Sequence, residues 1–135
     1  MSEIDFLKKY FNNLKNLLDN EKYFEDLIKV KNILKKTHQE GKKTLIFGNG
    51  GSAAIASHFS VDLTKNARVR CTNYNESDLL TCFSNDYGYE RWVEKAIEFY
   101  GDSGDSLILI SAGGNSPNTT NGAKQARKQK IKNII

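Results

Sequence analysis

The sequence has few cysteines and no long apolar run. Only two of its 135 residues are cysteines, Cys71 and Cys82, and they form neither a CxxC pair nor a zinc-finger spacing. We therefore expect reduced thiols in the core of a cytosolic protein. No segment approaches the roughly 18 apolar residues of a membrane span, and the acidic start at residues 1–5 does not resemble a signal peptide. These absences predict a soluble, cytoplasmic protein with no membrane partner.

The sequence also lacks the fingerprints of nucleotide-binding loops. Neither G-x-G-x-x-G nor G-x-x-x-x-G-K-[ST] occurs. The formal net charge of +4 comes from 20 basic and 16 acidic residues, and much of the excess lies between Lys124 and Lys132. Because no aromatic residue interrupts these basic residues, we interpret them as a solvated helix face and expect no nucleic-acid partner.

Apolar periodicity divides the chain into an N-terminal helical part and a longer part in which strands and helices alternate. Residues 4–20 and 24–39 place apolar side chains three and four positions apart, which predicts two amphipathic helices. We expect residues 1–41 to form a helical hairpin, an arm that packs on the domain or on a neighbouring subunit. Residues 42–135 alternate strands and helices, which predicts an α/β domain, a three-layer sandwich with a mostly parallel sheet.

The individual elements of the α/β domain follow from the same pattern. The predicted strands are 44–47, 69–71, 106–110 and 131–135, and the predicted helices are 52–65, 79–83, 90–100 and 118–129. The chain stops inside the last of these strands, which is apolar. We therefore expect the domain to be truncated at its C-terminal end.

Two glycine-rich loops follow predicted strands. The first, Gly48 to Ser52, leads from the strand at 44–47 into a helix, and the second, Ser111 to Pro117, follows the strand at 106–110. Glycines allow a tight turn that exposes N–H groups, and a helix N-terminus adds the positive end of a dipole. Taken alone, each loop is as well explained by a structural turn. Because both loops lie at the carboxyl edge of a parallel sheet, we expect them to form one anion site.

His58 and Asp62 are one turn apart on the helix after the first loop. An imidazole and a carboxylate so placed can ligate a divalent metal or serve as an acid and base pair. An exposed ion pair is the alternative. Asp86 precedes a predicted helix, where it would either cap the helix or contact a ligand.

These motifs together resemble one family. In chain order they are Gly48–Ala54, His58–Phe59, Asp62–Thr64, Asn85–Tyr89, Gly104–Asp105, Ile110–Ser111 and Gly114–Asn118. The series resembles the sugar-isomerase (SIS) fold proteins, and among them the phosphoheptose isomerases, which interconvert sedoheptulose 7-phosphate and a manno-heptose 7-phosphate. The resemblance covers the chain from about residue 5. It implies a flavodoxin-like SIS sheet and a homotetramer whose active sites lie between subunits.

The resemblance also implies roles for single residues. The residues implied to hold the phosphate all lie in the two glycine loops: Gly50, Gly51, Ser52, Ser111, Ala112, Gly113 and Ser116. Asn49 and Asp86 would contact the sugar chain. His58 and Asp62 match a zinc-binding pair, in which the acidic residue also moves a proton between adjacent sugar carbons. The implied reaction is aldose–ketose isomerisation through an enediol.

Departures from the family pattern support an alternative. The family has Glu where this chain has Asp62, and one methylene less retracts the carboxylate by about 1.5 Å. A displacement of that size can lower a rate on the order of a hundredfold. Ala112 and Gly113 replace two hydroxyl residues of the family's second loop, and the family's later Gln and His would lie beyond Ile135. The alternative is a non-catalytic SIS module that binds a phosphosugar or a protein.

Overall fold

Two helices precede the first strand, as predicted. The structure, a computed structural model, describes residues 1–131 and 133–134. Helix α1 spans Glu3–Leu18 and, after a short 3₁₀ turn at Glu21–Tyr23, helix α2 spans Phe24–Gln39. Ser2 begins α1 with reciprocal hydrogen bonds to Asp5, an arrangement that satisfies two N–H groups at once. Contacts divide the chain into two units, residues 1–31 and the remainder.

The first unit exposes a large apolar surface. Helix α1 has no buried residue. Its exposed large hydrophobic side chains are Ile4, Phe6, Leu7, Tyr10, Phe11, Leu14, Leu17 and Leu18. The early part of α2 exposes Phe24, Leu27 and Ile28 in the same way. Packing of this arm on the domain or on a neighbouring subunit stays a prediction.

The second unit contains the sheet and the remaining helices. The strands are β1 (Thr44–Gly48), β2 (Cys71–Asn73), β3 (Ser106–Ile110) and β4 (Asn133–Ile134). The helices are α3 (Gly51–Lys65), α4 (Ser77–Tyr87), α5 (Trp92–Tyr100) and α6 (Pro117–Lys128), with a 3₁₀ turn at Tyr89–Arg91 before α5. No helix in the described ranges is long and apolar enough to cross a membrane.

The four strands form one parallel sheet in the order β2-β1-β3-β4. This is the strand order of a doubly wound, flavodoxin-like sheet. Strand β1 pairs with β3 along its whole length, from Thr44 opposite Ser106 to Gly48 opposite Ile110. Because parallel strands end at the same edge, the two glycine loops emerge side by side. The predicted α/β architecture is confirmed.

Helices cover both faces of the sheet. Phe47 and Leu107 are fully buried in one cluster with Trp92 of α5. Ile46 and Ile108 alternate with these residues, so their side chains lie on the opposite face of the pleated sheet. There α3 packs against β1 and β2. The result is the expected three-layer sandwich.

Strand β2 begins two residues later than predicted, at Cys71 rather than residue 69. The residues before it form the turn that ends α3. Arg68 has a φ of 57°, and the Val69 N–H donates to the Leu63 carbonyl at 2.8 Å. Val69 therefore closes the helix and does not pair with β1.

Helix α4 is longer than predicted, and this changes the position of two residues. It extends to Tyr87 instead of ending near residue 83. Asp86 thus lies in the last turn of α4, and of the two roles considered for it, capping of the following helix is wrong. Cys82 is exposed on the same helix, so the prediction of a core thiol is wrong there. It is correct for Cys71, where burial raises the pKa of the thiol to about 12.

The last predicted strand, 131–135, lies partly outside the described residues. Strand β4 occupies residues 133 and 134 and pairs with β3. Ile131 precedes this strand and is buried. Residues 132 and 135 lie outside the described ranges.

An ion cluster, buried at Lys43 and Asp105 and exposed at Asp102, connects the start of β1 to the turn before β3. The Lys43 ammonium donates to Asp102 at 2.6 Å and to Asp105 at 2.7 Å. Asp105 is fully buried and also accepts from the backbone N–H groups of Lys43 and Asp102. Burial lowers the pKa of Lys43, but the hydrogen bonds to Asp102 and Asp105 outweigh burial and hold this pKa above its ordinary value.

Replacing Lys43 by Met removes the cation beside the buried Asp105 carboxylate. We expect the free energy of unfolding to fall by about 3–5 kcal/mol, measured by chemical denaturation. The exposed Lys124→Met on α6 is the control and stays within about 0.5 kcal/mol of the unsubstituted protein. Because the folded-state pKa of Lys43 is raised, its contribution is present below pH 10.5 and is lost as the pH rises through the folded pKa. Equal losses in both variants would contradict this role of the cluster.

Candidate functional site

The first glycine loop makes a tight turn into α3. A Cβ at Gly48 would overlap the Ser52 carbonyl, so the chain can approach this closely only with glycine. Gly50 is the N-cap of α3, with a φ of 54°. The Ser52 N–H donates back to the Asn49 carbonyl at 3.0 Å. Within the described residues the N–H groups of Gly50 and Gly51 have no acceptor. Two donors at the positive end of α3 are therefore open to a ligand.

The second loop joins β3 to the N-terminus of α6. Helix α6 begins at Pro117, with Ser116 as its N-cap. Ser111 Oγ accepts from the Gly114 N–H at 3.2 Å and lies 3.4 Å from Ser116 Oγ. The Ser116 side chain makes no capping bond to the helix. Its hydroxyl contacts only Ser111 among the described residues, so it can also bond to a ligand beside the start of α6.

The two loops enclose one cavity of about 210 Å³, which we call the loop cavity. It is lined by residues from both loops: Asn49, Ser52, Ile110, Ser111, Ala112, Gly113 and Ser116. None of these lining residues carries a charge. An anion in this cavity would be held by hydroxyl groups, backbone N–H groups and the positive ends of α3 and α6. Apart from Ile110, every lining residue was predicted to contact substrate. Gly50 and Gly51, which were predicted with them, do not line the cavity.

A second cavity of about 320 Å³ adjoins the loop cavity. It is lined by Asn49, Tyr89, Glu90, Ser116, Pro117 and Asn118. Asn49 and Ser116 line both cavities. The two spaces therefore meet at these two side chains.

Asn49 is held by Asn118 and Tyr89, which lie in the family-like motifs but were given no role of their own from the sequence. Its amide forms a reciprocal pair with Asn118, with both N–H···O distances at 2.9 Å. The Tyr89 hydroxyl donates to the same Asn49 oxygen at 3.1 Å. Asn118 is the second residue of α6 and is buried. A polar residue at a helix start is usually interpreted as a cap, so the sequence alone gives no signal for this pairing.

One exposed face of α3 connects the open Gly51 N–H to His58 and Asp62. Seven and eleven residues correspond to about two and three helical turns, so these three positions share a face. His58 Nε2 lies 3.6 Å from Asp62 Oδ2, and the two side chains are 81% and 47% exposed. At 1.5 Å per residue, His58 is about 10 Å along the helix from Gly51. This face therefore leads from Gly51, the neighbour of the cavity-lining Ser52, towards an acid and base pair.

His58 and Asp62 fit half of a metal site. Two donors in a tetrahedral zinc site with bonds of about 2 Å lie on the order of 3.3 Å apart, close to the 3.6 Å between these side chains. Across residues 1–131 there is no group of three or more His, Cys, Asp or Glu residues placed to hold a metal. The described chain thus provides two donors where zinc prefers four ligands.

Asp86 is exposed on the last turn of α4 and lines neither cavity. Its carboxylate accepts from Asn85 Nδ2 at 2.9 Å, and Cys82 Sγ lies 3.7 Å from it. The structure does not bring it together with the loop-cavity residues. Its contact with a sugar stays a prediction.

Comparisons with known proteins agree on one family. The model of the SIS domain family matches residues 9–134. The chain is 36% identical to the phosphoheptose isomerase of Fusobacterium nucleatum over 134 residues, which are 96% of this chain and 69% of that protein. It is 34% identical to the phosphoheptose isomerase of Buchnera aphidicola over 127 residues, 90% of this chain and 66% of that one. The chain thus spans about two thirds of the length of these relatives.

Solved structures show the same architecture. The phosphoheptose isomerase of Neisseria gonorrhoeae superposes with a TM-score of 0.88 at 27% identity, covering 96% of this chain and 72% of that one. The enzyme of the same name from Francisella tularensis, at 22% identity, shares the fold with a TM-score of 0.89 over 99% of this chain and 74% of its own. The chain therefore belongs to the SIS domain family and, within it, groups with the phosphoheptose isomerases.

Proposed function

We propose that this chain acts as an aldose–ketose isomerase on a phosphorylated seven-carbon sugar, converting sedoheptulose 7-phosphate to a manno-heptose 7-phosphate. One observation carries the proposal. A cavity built from two helix N-termini and three serine hydroxyls lies at the N-terminal end of α3, the helix that bears His58 and Asp62. The names of the relatives support the choice of a heptose phosphate.

The loop cavity suits the phosphate. The hydroxyls of Ser52, Ser111 and Ser116 line the cavity and supply donors. The open N–H groups of Gly50 and Gly51 lie in the same loop, between the lining residues Asn49 and Ser52. The dipoles of α3 and α6 add positive potential without a mobile cation. An extended seven-carbon chain is on the order of 8 Å long, which matches the distance of about 10 Å along α3 to His58. The phosphate end of the substrate would thus lie in the loops and the carbonyl end near the acid and base pair.

Asp62 and His58 would move the protons. A carboxylate at Asp62 accepts the proton from the carbon beside the carbonyl, which produces an enediol. The same group returns the proton to the neighbouring carbon and so converts the ketose into the aldose. His58, 3.6 Å from Asp62, is placed to shuttle a proton between the two hydroxyl oxygens.

His58 and Asp62 are also the residues that would hold zinc. The 3.6 Å between Nε2 and Oδ2 supports this, because two ligands of one tetrahedral ion lie at about that separation. A bound zinc ion supplies polarisation of the substrate carbonyl. The further ligands that zinc prefers would come from outside the described residues, for example from a neighbouring subunit.

The protein would act as a homo-oligomer, with a tetramer as the expected form. The support is the exposed apolar surface of α1, which carries eight large hydrophobic side chains. A surface of this kind is typical of a helix that is buried in an assembly. A cytoplasmic location, expected from the spacing of the two cysteines, is also part of the proposal.

A comparison of two ligands tests this function. The full-length protein is incubated with sedoheptulose 7-phosphate and with unphosphorylated sedoheptulose, and the aldose product is followed by NMR. We expect conversion of the phosphate ester only, with the unphosphorylated sugar binding at least 100-fold more weakly. Equal binding of both sugars would contradict a phosphate site in the loops. Binding of the phosphate ester without conversion would support the non-catalytic alternative.

A further inference from the structure

Asn118 fixes the orientation of the Asn49 amide. The backbone N–H of Thr119 donates to the Asn118 side chain at 2.9 Å. A backbone N–H can only donate, so the atom that it meets must be the amide oxygen and not the nitrogen. The Asn118 nitrogen therefore faces Asn49 Oδ1 at 2.9 Å, and the Asn49 nitrogen faces Asn118 Oδ1 at 2.9 Å.

This orientation decides what Asn49 offers to a ligand. Its oxygen already accepts from the Asn118 amide and the Tyr89 hydroxyl, which uses both lone pairs. Its nitrogen uses one N–H in the reciprocal pair with Asn118. The second N–H has no acceptor among the described residues. Asn49 lines both cavities, so its remaining capacity is that of a single donor at their junction.

We propose that Asn118 is a positioning residue that makes Asn49 present an N–H, rather than an oxygen, to the sugar phosphate. This inference rests on the proposed function, because the ligand is the heptose phosphate. An amide free to rotate would turn its oxygen towards the anion in part of the molecules, and that oxygen would repel it. The pairing spans 69 residues of sequence, so it also holds the first glycine loop against the start of α6. Tyr89 completes the arrangement from the turn before α5.

A double-mutant cycle tests whether Asn118 acts through Asn49. Binding of sedoheptulose 7-phosphate is measured by calorimetry in the full-length protein for N49A, N118A and the double variant. A lost hydrogen bond to a charged group weakens binding on the order of 10- to 100-fold, and we expect each single variant to lie in that range. The double variant should bind within about threefold of N49A. Additive losses, or an N118A variant that binds as tightly as the unsubstituted protein, would overturn the proposal.

Two further variants keep the result independent of folding defects. Asn118→Asp keeps the size of the side chain and still accepts from Thr119, but its carboxylate cannot donate to Asn49. We expect it to weaken binding in the presence of Asn49 more than in the N49A background, whereas simple charge repulsion would act equally in both. Gln129→Ala removes amide hydrogen bonds from the other end of α6 to Glu98 and Gly101, and it should bind like the unsubstituted protein.

A measurement without ligand separates this inference from the proposed function. In ¹⁵N-labelled protein, the Asn49 side-chain N–H that pairs with Asn118 should exchange slowly with solvent, and N118A should increase that exchange at least tenfold. Unchanged exchange in N118A would overturn the inference and leave the proposed function intact. Slow exchange in a protein that binds no sugar phosphate would confirm the amide pair but contradict both its proposed role and the proposed function.

Discussion

Ser52→Phe is expected to raise the dissociation constant for sedoheptulose 7-phosphate at least 100-fold. Ser52 lines the loop cavity, whose volume is about 210 Å³. An aromatic ring there would occupy the space of the phosphate, and the substitution also removes one of three hydroxyl donors. Since hydrogen bonds to charged groups contribute about 1.5–3 kcal/mol each, the combined loss exceeds the 2.7 kcal/mol or so that corresponds to a hundredfold change. Calorimetric titration measures the effect.

Ser103→Phe is the matched control for this substitution. Ser103 is exposed in the turn before β3, at the sheet edge opposite the glycine loops. We expect its affinity for the sugar phosphate to stay within about twofold of the unsubstituted protein. If Ser52→Phe also binds normally, the phosphate does not occupy the loop cavity. Binding of a protein partner, by contrast, should survive Ser52→Phe, which distinguishes the isomerase from a pure interaction module.

Asp62→Asn is expected to lower turnover by 10²- to 10⁴-fold, the usual contribution of a general base. The amide has nearly the same shape as the carboxylate but cannot accept a proton. Asp62 does not line the loop cavity, so affinity for the sugar phosphate should change by less than about threefold. Steady-state kinetics together with calorimetry measure the two effects separately.

Asp62→Glu provides the conservative counterpart. It keeps a carboxylate and extends it by about 1.5 Å. The side chain then has the length of the Glu that the family resemblance implies at this position. We expect this variant to retain at least the activity of the unsubstituted protein. An Asp62→Asn variant as active as the unsubstituted protein would show that the base lies elsewhere.

The sheet and the loop cavity were predictable because both depend on local patterns. Buried strands such as Thr44–Gly48 and Ser106–Ile110 are short apolar runs that end in glycine-rich turns. Parallel pairing then brings the two loops to one edge without any further information. Ser52, Ser111 and Ser116 line one cavity for this reason.

The contacts around Asn49 were not predictable in the same way. The partner amide of Asn118 lies 69 residues away, and Tyr89 reaches Asn49 from a third segment, 40 residues away. No periodic pattern marks such long-range polar pairs. The position of Asp86 was predicted wrongly for a local reason. The segment around Cys82 is polar, so apolar spacing did not indicate where α4 ends.

The acid and base pair was predictable only in part. The spacing of His58 and Asp62 correctly places them together on α3, 3.6 Å apart. It does not reveal the further contact in which Asn66 Nδ2 donates to Asp62 Oδ1 at 3.0 Å. The role of His58 and Asp62 in metal binding and catalysis stays a prediction.

Hydrogen exchange at the substrate carbon tests the central claim most directly. The full-length protein is incubated with sedoheptulose 7-phosphate in D₂O. ¹H NMR follows the signal of the hydrogen bound to the carbon beside the carbonyl. We predict that deuterium enters at this carbon, and that Ser52→Phe and Asp62→Asn each slow its entry at least 100-fold. Binding of the sugar phosphate without any exchange at that carbon would contradict the claim that this site moves a proton.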